Sequence, residues 1–377
     1  MKWRYWVFVL IVLGACKDKY VAEVHVPATG FLVVEGYINA SDTTDIMLSR
    51  ASSLDSVRLI PESGAQLEIQ SPNGTSYPLF EKAGGHYTIN TVTLDPSQQY
   101  RLHIRTTNGK EYLSDSMAVN ISPPIDSVNW TANADLLTIY VSTHDNQHQP
   151  GYYQWQFEET WKYNAAYGSI LEYRNEVLIP RPDSDQFYTC WRSDLSTNVV
   201  VATSEKLSNN VIFQYPITLI DYSSTDKLNN RYSILVKQTA TSKEWYEWNV
   251  KIKKNTEQLG TIFDAQPSET GGNLHCTTDP TEQVIGFVGI STRTEKRIFI
   301  DRIDIPPVVV FTGYAACEKY SVANNPQAII DKFGQGFYTP IDYLSKNGVV
   351  IGVEYAGPEC VDCRLKGGTT VKPSFWQ

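Results

Sequence analysis

From residue 31 the chain alternates apolar and polar positions with a period of two, in short runs broken by turn-forming residues. Alternate side chains of a strand face opposite sides of its sheet, so each run predicts a half-buried strand. The runs cover residues 31–38, 45–49, 65–69, 76–80, 86–89, 100–104 and 111–114. Between them stand Pro72-Asn73-Gly74, Gly84-Gly85, Asp95-Pro96 and Asn108-Gly109. Asn-Gly supplies the positive φ angles of tight hairpins. Short strands at this spacing, punctuated this way, predict an antiparallel β-sandwich.

Tyr100 stands just before an alternating strand and five residues after Asp95, where its hydroxyl can turn back onto the preceding corner. This resembles the tyrosine corner of immunoglobulin-like Greek-key domains. No cysteine lies in the segment, which excludes an antibody-type domain. The expectation is a mainly β protein opening with an immunoglobulin-like sandwich over residues 30–122.

Ser122-Pro123-Pro124 interrupts the pattern, since proline lacks the N–H that a ladder needs. A larger β-rich domain is expected over residues 123–377. Its strands are predicted at residues 136–141, 152–157, 187–191, 211–215, 232–236, 284–288, 297–300 and 349–353. One helix is predicted over residues 242–259. Thr241 and Glu244 have capping-box spacing, and Trp245, Trp248, Ile252 and Leu259 recur on one face. Lys251, Lys253 and Lys254 suit the negative end of its dipole, and Gly260 is the expected stop.

The N-terminus follows another rule. Lys2 and Arg4 precede an apolar run at residues 5–13, too short to span a bilayer, which needs about 20 residues. It suits the hydrophobic part of a secretory signal. The run ends in Leu13-Gly14-Ala15-Cys16, which resembles the lipobox of bacterial lipoproteins. Residues 1–15 are therefore expected to be a cleaved signal, Cys16 the lipidated residue and residues 16–29 a tether. Stable anchoring takes two or more acyl chains, as a mature lipoprotein N-terminus carries. Lys17-Asp18 resembles part of the signal that sends Bacteroidota lipoproteins to the cell surface, without its usual acidic run.

Net charge is −9 over 377 residues, which argues against a nucleic-acid partner. With 42% hydrophobic and 19% charged residues the chain can bury substantial cores. Beyond Cys16 there are five cysteines: Cys190, Cys276, Cys317, Cys360 and Cys363. In an oxidising compartment they allow two bridges and one odd thiol, in fifteen patterns. Cys360-Val-Asp-Cys363 has the spacing of a zinc half-site or a redox pair, but there is no second CxxC or paired histidine. Structural bridging is the leading reading.

Catalytic signatures are missing: no H-E-x-x-H, G-x-S-x-G, phosphate loop or G-x-G-x-x-G occurs. Gly286-Phe-Val-Gly289 lies inside a strand pattern. The pairs Asp183/Asp185 and Asp301/Asp304 lack the rest of a calcium loop. His144 and His148 flank a polar loop ending at Pro150-Gly151. Tyr153, Trp155 and Phe157 share one strand face, with Trp161, Tyr163 and Trp191 candidates to lie near them. Such a face can stack a sugar or peptide, or serve as core. No catalytic residue, metal or cofactor is expected, and the chain reads as non-enzymatic.

Several longer segments resemble a known family: residues 232–238, 254–269 and 272–276, the ending Cys360-Val-Asp-Cys-Arg-Leu-Lys-Gly-Gly368 with Lys372-Pro-Ser-Phe-Trp376, and the opening Leu32-Val-Val-Glu-Gly36 after the lipobox. Together they resemble the Bacteroidota lipoprotein family called domain of unknown function 4249, across nearly the whole chain after Cys16. The resemblance implies an outer-membrane lipoprotein, often encoded beside a TonB-dependent transporter. It implies no reaction and no site residues. Gly260, Pro267 and Gly271-Gly272 read as turn makers, with a ligand loop built on Glu257, Gln258, Asp264 and Gln266 as the lesser alternative. The function expected is a binding or accessory subunit of a TonB-dependent uptake system; a surface enzyme acting on glycans or peptides, and an adhesin, stand as alternatives.

Overall fold

A computed structural model describes residues 30–51, 60–146, 151–257 and 271–377. The signal, Cys16 and the tether lie outside the described residues, as do His148 and the segment holding Gln258, Gly260, Asp264, Gln266 and Pro267. The protein is mainly β.

The N-terminal strands form where the alternation predicts, within a residue or so at each end. Leu32–Asn39 pairs with Thr44–Arg50, which pairs with His86–Ile89. The order continues through Ser76–Glu81, Gln66–Gln70 and Gln99–Arg105. Gln99–Arg105 then meets Met117–Asn120 through Gln99↔Ala118 and Tyr100↔Met117. Ile290–Ser291 lies between Met117–Asn120 and Leu32–Asn39, parallel to both. The circuit is closed. The immunoglobulin-like sandwich expected here is thus replaced by a barrel, because a distant two-residue strand fills the gap between two edges. Closure leaves no unpaired edge within the circuit. Leu32, Ile38, Ile46, Leu48, Ile69, Tyr87, Leu102 and Ile104 fill its interior.

The tyrosine corner does form. The Tyr100 hydroxyl accepts from the Asp95 N–H at 2.8 Å and donates to the Asp95 carbonyl at 3.4 Å.

The returning segment makes further pairs. Leu274–Cys276 extends the barrel sheet beside Glu111–Ser114, and Val284–Ile285 runs parallel to Leu32 and Val33. Glu282 fastens it: it takes an N–H from Arg50 at 3.2 Å, the Tyr112 hydroxyl at 2.6 Å, and the Lys110 ammonium. The strand predicted at residues 284–288 is paired only over Val284–Ile285, since Gly286 turns away with φ +138°.

Two facing antiparallel sheets follow. One is Ile125–Ala132, Leu136–His144 and Val211–Asp221. The other orders Thr189–Leu195, Tyr152–Asn164, Arg231–Ala240 and Arg293–Asp301, with Val200–Thr203 also on Tyr152–Asn164. Connections cross between the sheets, as in Greek-key sandwiches. The Tyr152–Asn164 strand is long because its odd positions stay apolar or paired: Tyr153, Trp155, Phe157, Glu159, Trp161 and Tyr163 are all buried.

The helix Lys243–Glu257 leaves the Arg231–Ala240 strand and packs across the barrel–sandwich junction. Its cap is Ser242, whose Oγ accepts from the Trp245 N–H at 3.2 Å. Thr241, the expected cap, is instead buried with its hydroxyl unpaired. Trp245 meets Tyr37 of the barrel, ring centroids 5.8 Å apart, and Trp248 meets Phe287 at 6.2 Å. Gly289 is required beneath it: a Cβ there would lie 2.2 Å from Trp245 Cε3.

The C-terminal residues build a smaller cap on the sandwich, with Tyr320–Ala323, Val349–Ala356 and Thr339–Lys346 in one sheet and the helix Pro326–Phe333 against it. Two disulfides secure it, Cys190–Cys363 and Cys317–Cys360. Trp376 then folds edge-on to Trp191 and Phe299, covering the outer face of the second sheet.

Candidate functional site

Of the two roles open to the aromatic row, core face and ligand platform, it fills the first. Tyr153, Trp155 and Phe157 are 2%, 0% and 5% exposed. They face the opposing sheet, and their polar atoms are spoken for: Trp155 Nε1 donates to Gln238 Oε1 at 2.9 Å and the Tyr153 hydroxyl to Asn210 Oδ1 at 3.0 Å. Burial pushes the Tyr153 phenol up to about 12. Trp191 points out of the opposite side of the sheet toward Trp376, away from this row.

The same strand reaches a pocket at its far end. Trp161 and Tyr163 form the floor of an open cavity of about 280 Å³ between the sandwich and the cap. Four segments supply its walls. Arg192 and Asp194 come from the neighbouring strand, Asp226 and Lys227 from the turn before Arg231–Ala240, and Phe311, Gly313 and Lys366 from the cap side. Trp161 is almost wholly buried; Lys227 and Arg192 both sit over its ring, 5.2 and 5.4 Å from the centroid. Its indole N–H donates to Asp226 Oδ1 at 3.1 Å.

Two charges here are costly to hold. Burial pushes the Asp226 carboxyl above its ordinary value, against the opposing pull of the Trp161 hydrogen bond and the charges of Lys366 and Arg192. Burial lowers Lys366, whose ammonium donates to the Gly313 carbonyl and lies 3.3 Å from the centroid of Tyr314. The Tyr314 hydroxyl is buried without a partner, and its phenol is raised by burial first. Lys227, by contrast, is paired with buried Glu159 at 2.6 Å, which also accepts the Tyr232 hydroxyl at 2.8 Å. A pocket with uncommitted donors and acceptors beside an aromatic ring can hold a polar ligand in a fixed orientation.

The remaining candidates are placed elsewhere. Cys360 and Cys363 bond to different partners, so the CxxC is neither a redox pair nor a zinc half-site; Cys276 is the free, buried thiol. Asp301 and Asp304 cap a short turn reciprocally, and Asp185 pairs with Arg181 at 2.9 Å. His144 Nδ1 is hydrogen-bonded to the Asp126 carboxylate at 2.8 Å. Gly286 and Gly289 are close-approach positions. Among the described residues, no group of three His, Cys, Asp or Glu side chains is arranged to hold a metal.

Trp161 and Tyr163 are legible in the sequence as neighbours of the aromatic row; Arg192, Asp226, Phe311 and Lys366 are not. The only local sign was the cysteine spacing. Arg192 is two residues past Cys190 and Lys366 three past Cys363, so the Cys190–Cys363 bridge draws two walls of the pocket together.

Comparison with known proteins adds little on activity. No curated protein matches the chain. Among solved structures, a candidate carbohydrate binding protein from Bacteroides uniformis is 11% identical, covering 56% of this chain and 90% of its own, with a TM-score of 0.16. That likeness is too slight to bear on function. A family model does match, over residues 17–297, stopping short of the Cys360–Gly368 and Lys372–Trp376 segments. The match spans well over half of the sequence, and the chain belongs to the family described as Domain of unknown function (DUF4249).

Proposed function

We propose that the protein is a non-enzymatic binding or accessory lipoprotein, held at the outer membrane by lipid on Cys16 and working beside a TonB-dependent transporter. The observation that carries the binding reading is the pocket over Trp161. It is preformed, it opens to solvent, and burial works against the ionised forms of its Lys366 and Asp226. Titratable groups perturbed by burial cluster at functional sites, which supports the binding reading. The anchor and location rest on the sequence at residues 1–16. Exposure on the cell surface is part of the same reading.

Solubilised outer membranes test the partnership. Recovery of the chain together with a transporter barrel supports it, and recovery only as a lone monomer refutes it. Metabolic labelling with a palmitate analogue tests the anchor: Cys16→Ala should abolish incorporation.

A second reading, cleavage of a glycan or peptide at the same pocket, draws on the raised Asp226 carboxyl, since a proton donor needs such a shift. It predicts that Asp226→Asn keeps ligand binding and abolishes product formation.

A further inference from the structure

We propose that the pocket over Trp161 receives one ring of a polyhydroxylated ligand, a sugar residue of a glycan, with Phe311 against its C–H face and Asp226, Arg192 and Lys366 around its hydroxyl edge. This deepens the binding reading above and rests on it.

The chemistry of the lining selects the class. A sugar ring has an apolar face of C–H groups and a rim of hydroxyls, each able to donate and to accept. Phe311 lines the cavity with 45% of its surface exposed, which leaves a ring for the apolar face. Trp161 cannot serve this way, because Arg192 and Lys227 already cover it.

Around that ring the polar groups face in both senses. Asp226 gives one oxygen to the Trp161 N–H and keeps the other as an acceptor. Lys366 gives one of its three N–H donors to the Gly313 carbonyl, and among the described residues no carboxylate lies within ion-pair reach of it. Arg192 is held only loosely, 3.6 Å from Asp194 and 3.5 Å from the Lys366 carbonyl. Gly313 is part of the construction. Its φ of +71° favours glycine, and a Cβ there would lie 2.7 Å from Lys366 Nζ, so a larger residue would shift the ammonium.

Other classes fit less well. A phosphate would face Asp226 and Asp194 across a small cavity. A cationic ligand would face Arg192, Lys227 and Lys366. A purely apolar ligand would strip water from all of them without replacing its hydrogen bonds. A neutral ligand with hydroxyls on its edge and C–H groups on its face satisfies the set.

The test is calorimetric titration of the full chain, purified in detergent, with maltose, cellobiose and lactose, and in parallel with a short peptide of mixed charge. At least one disaccharide should bind. Phe311→Ala should weaken it by about tenfold, the loss of one ring contact. Asp226→Asn should weaken it comparably, and Phe213→Ala, an exposed ring outside the pocket, should leave it unchanged. Phe311 is on the surface, so its variant folds even if Asp226→Asn does not, which a urea midpoint will show. The proposal is overturned if no disaccharide binds up to about 10 mM, or if binding ignores both pocket variants. Peptide binding that Phe311→Ala abolishes, with no response to sugar, overturns the sugar assignment while leaving the binding reading in place. Failure of co-purification with a transporter bears on the partnership alone.

Discussion

Gln238 and Trp155 give the sharpest test of the sandwich core. Gln238 is fully buried toward the end of Arg231–Ala240. Its Oε1 accepts from Trp155 Nε1 at 2.9 Å, and its Nε2 donates to the Pro123 carbonyl at 2.8 Å and to Thr143 Oγ1 at 3.1 Å. One amide thus joins both sheets to the linker from the barrel. Gln238→Leu keeps the volume and removes all three bonds. Pro123 keeps a donor from Thr294 at 2.9 Å, and Thr143 still donates to Pro124 at 3.0 Å, so the group left orphaned is the Trp155 N–H. An orphaned buried donor costs about 1–3 kcal/mol and each lost bond about 1 kcal/mol, which a buried leucine partly offsets; the expected loss is about 3 kcal/mol. Trp155→Phe orphans Gln238 Oε1 and leaves a small cavity, again about 3 kcal/mol. In the double variant neither partner is stranded, so its loss should fall short of the sum by about 1–2 kcal/mol. Urea unfolding followed by circular dichroism, extrapolated linearly, measures all three. Strict additivity would refute the pairing, and a stable Trp155→Phe protein with a lost ligand response would restore the row to the role of platform.

Three further outcomes follow from the geometry. Replacing Cys190 and Cys363 by alanine opens a loop of 173 residues; chain-entropy scaling gives at most about 5 kcal/mol, against about 4 for the 43-residue Cys317–Cys360 loop, and an unchanged urea midpoint would contradict it. Gly289→Ala drives a Cβ into the Trp245 ring and should cost about 1–3 kcal/mol by thermal unfolding, while Gly271→Ala, with open space around it, should cost nothing comparable. His144 is raised by its hydrogen bond to Asp126 and by that carboxylate's charge, so its folded value exceeds the unfolded one. Its contribution is complete below about pH 6.5 and is lost as pH rises through the folded value, so His144→Gln should lower the urea midpoint near pH 5.5 and not near pH 9.

Much of the fold was written locally. The strands of the barrel appeared as two-residue alternation because each has one face in the core, and the turns carried the glycine and asparagine that hairpins need. Tyr100 marked its own corner, since its hydroxyl reaches only five residues back. The helix was legible from Trp245 onward. Its cap was misplaced by one residue because Thr241 and Ser242 are both competent, and only the entry angle of the chain chooses Ser242.

Other features have no local trace. Ile290–Ser291 closes the barrel with two residues that carry no strand pattern of their own, and they come from beyond the sandwich strand Arg231–Ala240. Alternation reports that a strand has two unlike faces; it cannot report which strand lies beside it, and so it could not separate a sandwich from a barrel. The row Tyr153, Trp155 and Phe157 shows the same limit, since an aromatic face looks alike in sequence whether a second sheet or a ligand covers it. The pocket is further still from the sequence. Arg192, Asp226, Phe311 and Lys366 span 175 positions and meet only because the cap folds back and is bridged there. The sequence by itself determined the first strands of the barrel and several of the sandwich, their turns, the family and the expectation of an anchor at Cys16. Tertiary structure alone decided closure, burial and the meeting of charges, because each depends on contacts between segments that carry no record of one another.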